Sequence, residues 1–239
     1  MNGSNTNGTD TNGSDTNGTD TTGGHAHHEH SSGGREFDRR YWEQRYHGAG
    51  SASASEPNPH LTGELADLPP GTALDAGCGE GAEAIWLAER GWHVTAVDIA
   101  AAAVARGRVK AGRAGHEIAD RIDWHAADLT EWDAGIDRFD LVCACYVHPA
   151  DSNDALFERL AGAVAPGGTL FIVGHAPGDH ESAAHTSAAH VHVTAEQIAA
   201  GLAPDRWDIR LVETRTRSVV RSSGESITLQ DSVFRARKR

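Results

Sequence analysis

Cysteine is scarce. Cys78, Cys143 and Cys145 are the three in 239 residues, an odd number with no paired spacing. A disulfide framework is not expected, and reduced thiols suit a cytosolic chain. Lysine is scarcer still: Lys110 and Lys238 are the two among 21 cations, which reads as genome composition and not as chemistry. Clustered positive charge is missing apart from the short Arg235–Arg239 end, and 34 acids against 21 bases leave a formal charge of −13. Phosphate-backbone binding needs clustered Lys and Arg, so no nucleic-acid partner is expected. No stretch approaches the roughly 20 apolar residues of a membrane span. Met1 is followed by Asn, Gly, Ser and Thr where an export signal would be charged and then apolar. The expectation is a cytoplasmic protein with no membrane partner.

What is present divides unevenly. Residues 1–34 hold four acids (Asp10, Asp15, Asp20, Glu29), no Lys or Arg, and a repeated TNGSDTNGTD unit. Such a tract cannot bury enough apolar area to offset the entropy of ordering, so 1–34 is expected to be a disordered tail. Its Asn-Gly-Ser/Thr triplets at Asn2, Asn7, Asn12 and Asn17 would be glycosylation acceptors in an exported chain only. The HAHHEH run (His25, His27, His28, His30) can bind a divalent metal adventitiously or be a biased segment; no role in catalysis is expected. Residues 35–239 are expected to form one domain, large enough to bury most of its apolar surface unaided.

Order is expected from Arg35–Tyr46, a helix on which Phe37/Tyr41 and Trp42/Tyr46 are i, i+4 pairs. Gly48–Pro59 reads as a linker. Beyond it, short apolar runs at Thr72–Ala76, His93–Val97, Arg121–His125, Phe139–Cys145 and Thr169–Val173 read as strands. Helical patterns lie at Ala82–Arg90, Ala100–Ala114, Asn153–Val164 and near Ala195–Leu202. Alternation of this kind, with near-continuous apolar strands, marks an α/β parallel sheet with helices on both faces. Trp207–Val220 and Ser226–Arg235 flank Ser222–Gly224 and read as an antiparallel hairpin closing one edge. Trp86, Trp92, Trp124, Trp132 and Trp207 carry no functional signal beyond packing.

The densest chemical signal is Ala73-Leu74-Asp75-Ala76-Gly77-Cys78-Gly79-Glu80-Gly81, where a strand ends and a helix begins. Glycines there permit a sharp turn and let a ligand approach main-chain N–H groups. With Ala82 the run also fits the G-x-G-x-x-G/A pattern of NAD-binding folds, so an NAD(P)-dependent oxidoreductase is one reading. Asp98 ends the next strand, at a distance where an acid accepts hydrogen bonds from ribose hydroxyls in either reading. A third acid separates the two. Asp128 follows the third strand, so Asp75, Asp98 and Asp128 stand at neighbouring strand ends, where open α/β sheets bind ligands. Asp128 can accept from an adenine amino group, and the ring can lie against Ile99 and Leu129. Carboxylates suit a ligand with cationic groups better than a pyrophosphate, which points to S-adenosylmethionine.

At LDAGCGEG (Leu74–Gly81), VTAVDIA (Val94–Ala100), ADL (Ala127–Leu129), FDLVCACYVH (Phe139–His148) and APGGTLFIVGH (Ala165–His175) the sequence resembles a class I S-adenosylmethionine-dependent methyltransferase. It is similar to the small single-domain kind related to tellurite-resistance and thiopurine methyltransferases, from about Tyr41 to Arg237. The resemblance implies a Rossmann-like three-layer sandwich with a seven-stranded, mostly parallel sheet in order 3-2-1-4-5-7-6, strand 7 antiparallel. It also implies that Asp75, Gly77 and Gly79, with Cys78 and Gly81 in the same turn, surround the methionine portion. Asp98 would hold the ribose, and Asp128 with the Leu129 backbone and Ile99 the adenine. Tyr41–Tyr46 resembles the aromatic helix that covers the cofactor in such relatives, which makes Trp42 a lid candidate. Cys143 is counted with this set, although it and Cys145 share one strand face and read as buried packing residues.

Methyl transfer from a sulfonium is an in-line displacement, so proximity in a dry pocket supplies much of the catalysis. Among the acceptor classes expected (thiol, metalloid oxyanion, phenol or N-heterocycle), proximity can suffice for a thiolate or metalloid oxyanion, whereas a phenol or alcohol profits from a neutral imidazole near pH 7. His148, His175 and Tyr146 lie just beyond strands 4 and 5 and are the candidates, with a polar loop mouth as the plain alternative. His175, His180, His185, His190 and His192 form a histidine-rich loop over the same edge, the place where the chain departs most from the family pattern. That loop suggests a substrate lid; partners at ligand spacing are missing apart from Asp179 and Glu181, so no metal site is assigned. A small-molecule acceptor is expected. A non-catalytic S-adenosylmethionine-binding or metal-binding protein remains the other alternative.

Overall fold

The computed structural model describes residues 37–47, 56–150, 152–177, 192–220, 224 and 226–239, all within one compact unit, Gly34–Arg239. The expected tail, most of the Gly48–Pro59 linker, the hairpin turn and His180, His185 and His190 lie outside the described residues.

The elements run α1 (Arg39–His47), α2 (Pro59–Leu65), β1 (Thr72–Ala76), α3 (Ala82–Glu89), β2 (His93–Asp98), α4 (Ala101–Ala114), α5 (His116–Ala119), β3 (Ile122–Ala126), β4 (Phe139–Cys145), α6 (Asn153–Ala163), β5 (Val164–His175), α7 (Ala195–Ala200), β6 (Trp207–Val220) and β7 (Ser226–Lys238). One sheet has the order β3-β2-β1-β4-β5-β7-β6. The pairings are parallel from β3 to β5, and β7 runs antiparallel to both β5 and β6.

Period-two alternation divides the strand side chains between two buried layers. On one face Leu74, Val142, Leu170, Ile172 and Phe234 pack with Leu156, Phe157 and Leu160 of α6. On the other Ala73, Val94, Leu141, Phe171 and Val233 pack with Leu61 and Leu65 of α2 and Ala84 and Leu87 of α3. Strand order reverses between β1 and β4, so a crevice opens at the carboxyl ends of these strands.

Three boundaries differ from the sequence expectation. The first helix begins at Arg39 instead of Arg35; Phe37 precedes it at φ +69°. Phe37 and Tyr41 therefore do not share a helix face, although their rings meet edge-on at 5.2 Å. The end of the linker is helical, because the Asn58 side chain accepts from the His60 and Leu61 amides and Pro59 sits in the first turn. Strand β5 starts at Val164, five residues before the apolar run, since the Pro-Gly-Gly segment is carried into pairing by Phe139↔Val164 across an irregularity in β4. Among the described residues no helix is long and apolar enough to cross a membrane.

Candidate active site

The turn after β1 is built on glycine. Gly77, Gly79 and Gly81 have φ of +74°, +52° and +81°. A Cβ on Gly77 would meet Val147 Cγ2 at 2.4 Å, and one on Gly81 would meet the Trp124 ring at 2.2 Å. The Gly77 and Cys78 amides donate to Val97 O at 2.8 and 3.0 Å, which locks the turn against β2. The Cys78 side chain is buried in the core, so only its backbone faces the turn.

Asp98 ties the turn to the next loop: its Oδ2 accepts from the Gly79 amide and its Oδ1 from the Ala100 amide, both at 2.8 Å. A carboxylate has about four lone-pair sites, so two remain for hydroxyl donors. Asp75 is 2% exposed, and its Oδ2 has no hydrogen-bond partner. Burial pushes its carboxyl well above the usual range, and the charges of Glu83 and Asp98 push further. Burial likewise raises Asp98, and raises Glu83, whose Oε1 accepts from the Asn58 amide at 2.9 Å. The fourth acid, Glu80, is different, being paired by Arg106 Nε at 2.9 Å and Lys110 Nζ at 2.7 Å. The crevice is thus rich in acid and poor in cation where Asp75, Glu83 and Asp98 converge. These residues fit a ligand bearing an ammonium, a sulfonium and ribose hydroxyls.

Cys143 is brought near this set but not into the crevice. It is 0% exposed, paired in register with Asp75, and its thiol lies 3.9 Å from Asp75 Oδ1. Burial pushes that thiol well up, so it acts as a neutral donor beneath the acid. Asp128 closes a local turn, its Oδ1 accepting from the Thr130 amide and hydroxyl at 2.9 and 2.7 Å. Leu129 packs on the core edge, and Ile99 O accepts from Arg39 Nη1 at 2.7 Å. The latter contact, with the Ala101 amide donating to Glu43 Oε1 at 2.7 Å and Arg106 Nη2 donating to Tyr46 O, fastens α1 beside the β2–α4 turn.

The base candidates gather with Trp42. Trp42 and His148 are near-parallel (8°, 6.3 Å), as are His148 and His175 (12°, 5.8 Å) and Tyr146 and His175 (26°, 4.6 Å). Phe37 lies 5.3 Å from His148. A small cavity lined by Val147, His148, Phe157, Ile172 and Val193 adjoins this row of rings.

Tyr146 differs from the other candidates. Its hydroxyl donates to Asp231 Oδ2 at 2.8 Å and accepts from Asn58 Nδ2 at 3.1 Å and Arg217 Nε at 2.8 Å, which uses all its hydrogen-bonding capacity. Burial, and then the Asp231 charge, hold its phenol above the ordinary value. Asn58, His60, Arg217 and Asp231 are the polar residues sequence reasoning missed. An acid inside the apolar run of β7 was the available signal. Of the histidine loop, His175 and His192 are described and form an isolated parallel bridge. Among the described residues no three His, Cys, Asp or Glu side chains gather so as to hold a metal.

Comparison with known proteins agrees with this geometry. Residues 73–168 match a family described as methyltransferase domain. An uncharacterized methyltransferase of Mycobacterium tuberculosis is 40% identical over 110 residues, 44% of this chain and 52% of that protein. The match thus spans about half the length of that curated relative. Among solved structures, one reported for the conversion of a disulfide bond into a thioacetal group during echinomycin biosynthesis has a TM-score of 0.65 at 24% identity, covering 85% of this chain and 91% of that one. The N-methyltransferase NodS of Bradyrhizobium japonicum WM9, in complex with S-adenosyl-L-homocysteine, has a TM-score of 0.60 at 20% identity, covering 84% and 97%.

Proposed function

We propose that the chain is a class I S-adenosylmethionine-dependent methyltransferase and that it methylates a small planar aromatic acceptor bearing an ionisable O–H or N–H. Bound S-adenosylmethionine supplies an electrophilic methyl group on a sulfonium. Asp75 receives the ammonium end, the glycine turn admits the chain of the ligand, Asp98 accepts from the ribose, and Asp128 with Ile99 and Leu129 borders the adenine. A dinucleotide would bring a pyrophosphate against Asp75, Glu83 and Asp98, which disfavours an oxidoreductase.

The acceptor reading rests on one observation, the row of near-parallel rings Trp42, His148, His175 and Tyr146. A planar π-system gains from offset stacking on such a wall, whereas a thiol or a metalloid oxyanion does not. An oxyanion would also want a cation, and Arg217 behind the wall is committed to Asp231 and Tyr146. One of the two similar structures is reported for the conversion of a disulfide bond and the other is an N-methyltransferase, so shared fold does not choose the acceptor.

The test is to incubate the full chain with S-adenosylmethionine and panels of phenols, N-heterocycles, thiols and tellurite, reading S-adenosylhomocysteine formed. Product with phenols or N-heterocycles alone is expected. Turnover confined to thiols or tellurite would overturn the acceptor class. Equilibrium binding of NADH in preference to S-adenosylhomocysteine would overturn the cofactor.

A further inference from the structure

We infer that Asp231, on β7, is a positioning residue that fixes the tautomer and tilt of His175 so that this imidazole takes the acceptor's proton; the inference rests on the methyl-transfer reading above. Asp231 is 0% exposed, and its two oxygens are treated very differently. Oδ2 accepts from the Tyr146 hydroxyl at 2.8 Å and from Arg217 Nε at 2.6 Å, and faces His60 Nε2 at 3.2 Å. Oδ1 has no hydrogen-bond partner and lies 3.9 Å from His175 Nδ1. Three groups converge on this carboxylate. Here they hold one oxygen and leave the other aimed at a histidine.

His175 is fixed on several sides. It is the direct antiparallel partner of Asp231 in the β5–β7 ladder, so the two side chains leave the same face. The Tyr146 ring stacks on it at 4.6 Å, and Val193 N donates to its carbonyl at 3.2 Å. The two ring nitrogens lie on opposite edges, so with Nδ1 toward Asp231, Nε2 points away from β7. A separation of 3.9 Å is beyond a hydrogen bond, and contacts of this kind close when the reacting partner arrives. Among the described residues, the groups around His175 include Tyr146 and His148 from the end of β4, Asp231 from β7 and His192 from the bridged segment, with Arg217 of β6 and His60 of α2 behind Asp231.

The proton step balances. The acceptor's X–H bond breaks and its proton moves to His175 Nε2. The electron pair stays on X and forms the bond to the methyl carbon as the carbon–sulfur pair leaves with sulfur. The imidazolium's Nδ1–H is then held by Asp231 Oδ1, and the proton passes to water.

The experiment is an NMR titration of the full chain with ¹⁵N-labelled histidine, with the His175 signals assigned by their loss in His175→Gln. In the native protein the neutral ring is expected as the Nδ1–H tautomer; an Nε2–H tautomer would overturn the inference without any appeal to a variant. In Asp231→Asn the proton affinity of His175 is expected to fall about tenfold, one pH unit in its midpoint. A midpoint change corresponding to less than twofold would overturn it. Should Asp231→Asn fail to fold, the native tautomer decides. Failure of S-adenosylhomocysteine to bind the native chain sinks the methyl-transfer reading and leaves the tautomer result standing.

Discussion

Asp75, near the end of β1, and Asp231, in the middle of β7, are both buried acids of one sheet, and their surroundings are opposite. Asp75 has Glu83 and Asp98 for neighbours, an unpartnered oxygen and a raised pKa caused first by burial. Asp231 is more deeply enclosed, yet a guanidinium, a phenol and an imidazole surround one of its oxygens. Burying a charge is costly unless it is paired. Around β7 the compensation is internal, whereas around β1 and β2 burial favours the neutral form of the acids.

The sharpest way to break this contrast is to remove the compensated acid. Asp231→Ala should cost about 3 kcal/mol in denaturant unfolding, because Arg217 and Tyr146 lose their acceptor; a loss under half that would mean the network contributes little. Asp98→Ala should weaken S-adenosylhomocysteine binding by about 2 kcal/mol in calorimetry, through lost ribose bonds and release of the Gly79 and Ala100 amides. Unchanged affinity would remove Asp98 from the site. Asp75→Asn should move the two quantities apart, with the ligand-free protein gaining about 1 kcal/mol and cofactor affinity falling. A parallel loss of both would place Asp75 with Asp231 instead.

The smallest effect is on pH dependence. Asp75, Glu83 and Asp98 have raised carboxyl pKa values in the folded state. Above about pH 4 the unfolded chain therefore releases protons that the folded protein keeps. The contribution of these three acids to the stability of the ligand-free protein is full below that point and is lost as pH rises through the raised folded values. A cationic ligand favours the ionised acids, so the increase in Tm given by S-adenosylmethionine should be larger at pH 8 than at pH 5. An equal increase at both would argue that these acids do not meet positive charge.

The geometry around β1 and β2 was legible because its information is local. Asp75, the glycines and Asp98 lie at fixed offsets from strand ends, and the strand runs Thr72–Ala76 and Phe139–Cys145 are found where the apolar pattern placed them. The geometry around β7 was not legible for a physical reason. His60 meets Asp231 across 171 residues of sequence, and Tyr146 meets it across 85. Only the β5–β7 register, His175 opposite Asp231, brings those residues together, and an apolar pattern does not announce register to that accuracy. The helix Pro59–Leu65 was hidden because Asn58 and Pro59 read equally as loop punctuation and as a cap followed by a first turn.

Tyr146 has φ of +55°, a left-handed bend that a bulky aromatic residue adopts at a cost of about 1–2 kcal/mol. That bend sends the chain from the end of β4 back across the glycine turn, setting Val147 against Gly77 and His148 beside Trp42. The hydroxyl at the far end of the same side chain is latched by Asp231 and Arg217. Loosening the latch would let the exit of β4 relax to an ordinary extended path, carrying Val147 off Gly77. A change made on the last two strands is therefore transmitted as a change of shape beside the glycine turn, and the two halves of the cleft answer to a single pivot.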